Sequence, residues 1–152
     1  MTTAIKVTEI EDYIDFETEP TDWLVVTQEQ INQFADCTFD QQFIHTDPVK
    51  AKETMFGSTI AHGFLSMSLL SHFAEQYSVV IDGCYMGINY GFDKLRFLTP
   101  VKVDSRIRAQ AKYLEIKEKK PGQYQFKVAV TIEIEGVDRP ALVCEWLSLQ
   151  MV

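Results

Sequence analysis

Hydrophobic and polar residues alternate strictly between Tyr124 and Glu135. Tyr124, Phe126, Val128, Val130, Ile132 and Ile134 interleave with Gln125, Lys127, Ala129, Thr131, Glu133 and Glu135. Successive side chains of a strand point to opposite faces, so this period predicts a strand with one buried face. Ile107, Ala109, Ala111 and Tyr113 repeat the pattern, and its slip to Leu114 and Ile116 predicts a bulge. Pro121-Gly122 marks the turn between these two strands, Leu142 to Val152 forms a last one, and residues 85–152 as a whole read as strands.

Earlier in the chain the period changes. From His62 to Tyr77 the spacing of Phe64, Leu65, Met67, Leu69, Leu70, Phe73 and Ala74, with Ser66, Ser68 and Ser71 between them, predicts a helix. Its apolar arc is wide enough to be buried on most sides. A long antiparallel sheet curled around one buried helix, an α+β domain, satisfies both patterns. Before it, Trp23 to Val26 reads as a short strand. Thr27 with Gln30 forms a capping box for a helix from Gln28 to Asp36, with Ile31, Phe34 and Ala35 on one face. Residues 40–45 read as a loop, and Asp47-Pro48 as the N-cap and first position of a short helix ending near Glu53. Residues 1–20 form an acidic, weakly patterned leading arm with one short ordered piece. No repeat or Pro/Gly/Ser linker divides the sequence, so residues 1–152 are expected to be a single domain.

Composition narrows the partners. The 152-residue chain is 46% hydrophobic and 24% charged, which fits a globular protein. Its apolar stretches, such as Ile60 to Leu70, fall short of the roughly 18 to 20 residues of a membrane span. No basic-then-apolar leader is visible, so the expected location is the cytoplasm. Net charge is −8. Residues 1–48 carry one Lys against eleven acids, whereas the remainder is slightly basic. Such a chain repels nucleic acid at long range. Lys94, Arg96, Lys102, Arg106, Arg108 and Lys112 fall in one stretch, which suits either solvated strand faces or a phosphate-bearing ligand. Cys37, Cys84 and Cys144 are far apart with no C-x-x-C pair, and read as reduced, mostly buried thiols.

Candidate chemistry concentrates between residues 40 and 63. Asp40 and His45, five positions apart in an irregular segment, can form an acid–base pair whose pKa values burial can tune. The same residues have quieter readings. A loop Asp caps its own backbone, and a lone His is often satisfied by a carbonyl. Gly63 opens the long helix, where free backbone N–H groups can hold an oxyanion and the missing Cβ allows close approach. Its alternative is tight helix–sheet packing. His62 is either a structural hydrogen bonder or part of the site, and His72 belongs to the core or the helix surface. His45, Asp47 and His62 offer nitrogen and oxygen ligands, but His-x-Asp is a common spacing and no metal is expected.

The ordered set Asp40-x-x-x-x-His45-x-Asp47-Pro48, Phe56-Gly57, Ile60-Ala61-His62-Gly63-Phe64-Leu65, Asn89 to Phe97 and Pro100-Val101 resembles the MaoC-like dehydratases, hot-dog-fold relatives of (R)-specific enoyl-CoA hydratases. More narrowly, Gln42 two positions after the acid is similar to the nodulation-protein-N-like branch. Gln42-Phe43 stands where many members have Asn-Pro, which leaves Phe43 to line the pocket or the core. The resemblance implies a hot-dog fold and reversible (R)-specific hydration of trans-2-enoyl-CoA, with no cofactor beyond the CoA thioester substrate. It implies that Asp40 activates water while His45 delivers a proton to C2, and that the Gly63 N–H holds the thioester oxygen. His62, Gln42, Asn89, Tyr90 and Ser71 are implied in substrate binding, Ser71 as the floor of the acyl pocket. It further implies a homodimer in which Asn89 or Tyr90 of one chain approaches Asp40 of the other. A hot-dog thioesterase and a non-catalytic acyl-CoA-binding protein are the alternatives. The helix has no acid between Gly63 and Glu75, which counts against hydrolysis.

Overall fold

The computed structural model describes residues 2–152. The alternating segments are the long strands: β4 (Met86–Phe97), β5 (Arg106–Lys120), β6 (Gln123–Ile134) and β7 (Val137–Met151). Together with β2 (Leu24–Val25) they make one antiparallel sheet of order β2-β5-β6-β7-β4. Every even-numbered residue of β6 from Tyr124 to Ile134 is buried. The expected bulge is present as a register shift between Tyr113 and Glu115, and Gly122 makes the turn with φ +73. The last strand begins five residues before Leu142, because Val137 pairs back onto Ile134 across a two-residue turn.

Against the concave face lie α4 (Gly63–Ser68) and α5 (Leu70–Tyr77). The single expected helix is thus two, meeting at Leu69, whose φ of −69 and ψ of −11 take it out of the regular turn. Burial is also narrower than expected. Leu65, Leu70, Phe73 and Tyr77 face the sheet, whereas Phe64 is 60% exposed and Ser68, Ser71, His72 and Glu75 are exposed. Spacings of three to five residues put the buried set on one face, and the sheet is too small to wrap the other. The core joins these helix residues to Phe126, Val130, Ile132, Leu142 and Ile107.

The leading arm is more ordered than expected. β1 (Thr3–Ile5) pairs in parallel with β3 (Val79–Ile81), and a 3-10 helix follows over Val7–Tyr13. The chain then runs along the outer edge of β5. Thr18 and Thr21 donate their N–H groups to the carbonyls of Ala111 and Ala109, and their hydroxyls accept the N–H groups of the same two alanines at 3.1 and 3.0 Å. Threonine hydroxyls thus stand in for a neighbouring strand's carbonyls at a sequence with no strand periodicity, which is why the pattern was invisible. The opposite edge has no such cover. Among the described residues β4 pairs only with β7, and Met86, Ile88, Tyr90 and Phe97 are exposed along it.

Of the cysteines only Cys144 is buried; Cys37 is exposed and Cys84 half-buried, all three as free thiols. No helix among the described residues is long and apolar enough to cross a membrane.

Candidate active site

α1 (Gln28–Thr38) opens on the expected capping box, with the Thr27 hydroxyl accepting the Gln30 N–H and the Gln30 side chain accepting the Thr27 N–H. It ends at Phe39, which is 90% exposed and has φ 61. A left-handed conformation costs a non-glycine residue about 1 kcal/mol. Here it turns the chain sharply enough to present Asp40 beside the start of α4. The expected loop at 40–45 is partly helical: α2 (Phe43–Thr46) is a single turn that carries His45. α3 (Pro48–Lys52) follows with Asp47 as its N-cap, whose carboxylate accepts the N–H groups of Val49 and Lys50 at 3.1 and 3.0 Å. Those bonds, chiefly the one from Lys50, hold the Asp47 carboxyl below the usual carboxylate range.

The backbone of Ile60 locks the His45 turn in place. The Ile60 N–H donates to the Ile44 carbonyl at 3.0 Å, and the Ile60 carbonyl accepts from His45 Nδ1 at 2.7 Å. Only an N–H can donate to a carbonyl, so Nδ1 carries the proton and Nε2 keeps a lone pair. The strand-like segment around Ile60 is itself fixed by the β4–β5 connection: Ala61 N–H bonds to Val101 O at 2.7 Å and Val103 N–H to Thr59 O at 3.0 Å. Gln28 closes the assembly from α1. Its amide donates to the His45 carbonyl at 2.8 Å, and its oxygen accepts from the buried Thr59 hydroxyl.

His62 stacks on His45, ring centroids 3.8 Å apart, with Phe34 against its other side at 5.0 Å. Its Nε2 donates to the Asp40 carbonyl at 3.0 Å and lies 3.9 Å from the Asp40 carboxylate. Only 2% of His62 is exposed, so it sits behind the pair and does not reach a ligand. Of the two readings the sequence allows, structural hydrogen bonder or part of the site, this geometry is that of a hydrogen bonder that positions the Asp40 backbone. Asp40 itself is half exposed at its side chain, and one carboxylate oxygen accepts the Gln42 N–H at 3.4 Å. Ligating atoms of Asp40, His45 and His62 lie within 4.8 Å of one another. The carboxylate in this group is Asp40, not Asp47. The His62 nitrogen nearest that carboxylate is an N–H, which suits an acid–base site better than a cation.

Burial lowers the His45 pKa from its ordinary value; the Ile60 hydrogen bond opposes this, His62 reinforces it and Asp40 opposes it weakly. The resting ring is therefore neutral at pH 7.

His45, Gly63 and Ser66 share a cavity of about 300 Å³ with Ile60, Phe97 and Val101. A Cβ on Gly63 would meet the Phe97 ring at 3.1 Å, so a larger residue there would need the ring to give by a few tenths of an ångström. The other expected residues scatter. Gln42 contributes its backbone, its carbonyl accepting the His45 N–H at 2.9 Å, and its side chain is exposed. Phe43 is 43% exposed and belongs neither to the core nor to this cavity. Ser71 is exposed on α5 and is not among the residues lining this cavity. Asn89 lines a second, larger cavity of about 470 Å³ between α5, β4 and β7, with Tyr77, Met86 and Trp146. It is eight residues from Phe97, roughly 25 Å along an extended strand, so neither Asn89 nor Tyr90 approaches Asp40 within one chain.

Gln28, Thr59, the Ile60 peptide and Phe97 were not singled out from sequence. Gln28 reads as an ordinary first-turn residue, and backbone clamps leave no side-chain signal.

Comparisons with known proteins give the chain its relatives. Residues 9–136 match the MaoC like domain. The chain is 44% identical over 124 residues to 3-hydroxyacyl-thioester dehydratase Z of Mycobacterium tuberculosis, covering 82% of each protein. It is 39% identical over 146 residues to nodulation protein N of Rhizobium leguminosarum bv. viciae, covering 95% of this chain and 91% of that one. The fold is similar to the (R)-hydratase from A. caviae involved in PHA biosynthesis, with a TM-score of 0.71 at 24% identity over 89% of this chain and 94% of the other.

Proton titration checks the state of His45. Its ring resonances should titrate below 6.5 in the folded protein. Between that value and 6.5 the unfolded state binds more protons, so His45 stabilises the fold fully above pH 6.5 and loses this contribution as pH falls through its native pKa. A folded-state titration at or above 6.5 would contradict the buried, Nδ1-protonated ring.

Proposed function

The chain belongs to the MaoC-like dehydratase family, and from that premise we propose that it hydrates trans-2-enoyl-CoA to (R)-3-hydroxyacyl-CoA and catalyses the reverse dehydration. It has the hot-dog fold, a curled antiparallel sheet around α4 and α5. The observation that carries the reading is the pairing of a neutral His45, its Nε2 lone pair free, with the accessible Asp40 carboxylate. Both are acceptors, so they hold the two hydrogens of one water. As its oxygen attacks C3, the pair takes one proton, and the enolate carbon C2 takes a proton back. No net proton is exchanged. Delivery by His45 requires that the ring gain its proton during attack, since at rest Nε2 has none to give. The Gly63 N–H, which opens α4, holds the thioester oxygen while charge builds there. The substrate's own CoA is the only non-protein group this chemistry calls on.

The active unit in this reading is a homodimer joined through β4. One sheet edge is covered by the leading arm and β2, while the β4 edge is long, apolar and unpaired within the chain. Exposed edges of this kind are normally paired or protected. In an antiparallel pairing of two β4 strands over their full length, residue 86 of one lies beside residue 97 of the other, and residues 89 and 90 beside residues 94 and 93. Phe97 lines the His45 cavity, so in this pairing the end of β4 that carries Asn89 and Tyr90, and with it the larger cavity, faces the site end of its mate. An acyl tail then has apolar walls beyond the reacting carbons. Thioester hydrolysis is the second reading, and the assay below separates it.

With crotonyl-CoA, enoyl absorbance should fall without release of free thiol. Asp40→Asn and His45→Gln should each lower turnover by on the order of 10² to 10⁴ while the protein stays folded. Near-normal hydration in both variants, or thiol release in the wild type, would sink this assignment. In sedimentation the chain should run as two copies at micromolar concentration. Tyr90→Lys, at an exposed edge position, should give a folded monomer with at least tenfold less activity. A fully active wild-type monomer would rule out the shared site.

A further inference from the structure

Two serines of α4 behave differently. Ser68 is exposed, and its hydroxyl donates to the Phe64 carbonyl at 2.7 Å, the usual way a helical serine satisfies itself. Ser66 is only 4% exposed, yet its hydroxyl makes no hydrogen bond with any described residue; only its backbone N–H is engaged, to the His62 carbonyl at 3.2 Å. That hydroxyl lines the smaller cavity together with His45 and Gly63. The other hydroxyl on the lining, Thr99, is already bonded to the Arg139 carbonyl at 3.2 Å.

The direction of the side chain follows from helix geometry. His62 and Ser66 are four residues apart and share a face, and helical side chains lean toward the N-terminus. Ser66 is thereby carried back toward the turn against which His45 is stacked. The polar groups of the pair, the Asp40 carboxylate and the His45 lone pair, are acceptors. A hydroxyl in the same cavity adds what they lack, a side-chain donor.

We propose that Ser66 is a substrate-contacting residue whose hydroxyl donates to the thioester carbonyl oxygen as negative charge accumulates on it. This rests on the hydratase reading above. The O–H bond stays intact: the serine stabilises charge and transfers no proton. Such a bond strengthens on the way to the transition state, so its loss acts on kcat more than on KM.

The test is steady-state hydration of crotonyl-CoA by the full-length protein and its Ser66→Ala and Ser66→Thr variants. Ser66→Ala should lower kcat on the order of tenfold or more, change KM less than about threefold and leave the acidic limb of the pH profile in place. Ser66→Thr keeps the hydroxyl and should recover most of the lost kcat. A Ser66→Ala kcat within twofold of wild type, a loss confined to KM, or a threonine variant no better than alanine would each overturn the assignment. Wild-type protein that fails to hydrate crotonyl-CoA while Asp40→Asn behaves identically would overturn the hydratase reading, and this inference with it.

Discussion

Much of the site depends on the backbone of one residue. The Ile60 N–H fixes the Ile44 carbonyl and the Ile60 carbonyl fixes His45 Nδ1, so a single residue's backbone sets both the position of the α2 turn and the tautomer of its histidine. Without that acceptor the imidazole could carry its proton on either nitrogen, and Nε2 would not be reserved as a lone pair. Backbone hydrogen bonds suit this task, since they hold a position without a rotamer to search. The β4–β5 connection bonds on either side of Ile60, at Ala61 and Thr59, so the clamp is anchored to the sheet and not to another loop.

Asp40 is held more loosely, and for a reason. Its carbonyl is fixed by His62 while its carboxylate remains half exposed. In the proposed reaction the carboxylate accepts from water and changes its hydrogen bonds, so it cannot be saturated by the protein. The strained Phe39 and the buried His62 together specify where the backbone of Asp40 lies and leave its oxygens free. Strain next to an exposed acid is common where a fold presents a reactive group. The bare β4 edge belongs to the same logic. One edge is consumed inside the chain by the Thr18 and Thr21 hydroxyls; the other is left for a surface outside it.

The sheet was legible in the sequence because one buried face imposes a period of two that nothing else mimics, and Tyr124 to Ile134 kept it without interruption. The capping box at Thr27 and the N-cap at Asp47 were equally readable, being local and made by side chains. Three features were not. The leading arm joins the sheet through hydroxyls and isolated backbone bonds, which carry no periodicity. The helix proved half exposed because apolar spacing reports what a helix can bury, and not whether its own chain supplies the cover for Phe64, Met67 and Leu69. His62 was left between a structural and a site role, since sequence gives the order of residues around a turn but not which ring lies in front. Asp40 and His45 were found from their spacing and from the resemblance of the surrounding motifs. The residues that hold them, Gln28 and Ile60, act over separations of 17 and 15 positions and announce nothing locally.

Stereochemistry tests the central claim most directly, because the proposed mechanism has Asp40 and His45 act together from one side of the reacting carbons. Hydration of trans-crotonyl-CoA would be run in D2O and the product analysed for configuration at C3 and for the face of deuterium addition at C2. A single pair that takes a proton from water and returns one gives (R)-3-hydroxybutyryl-CoA with deuterium and hydroxyl added to the same face. An (S) product, or deuterium on the opposite face, would contradict a mechanism carried by this pair.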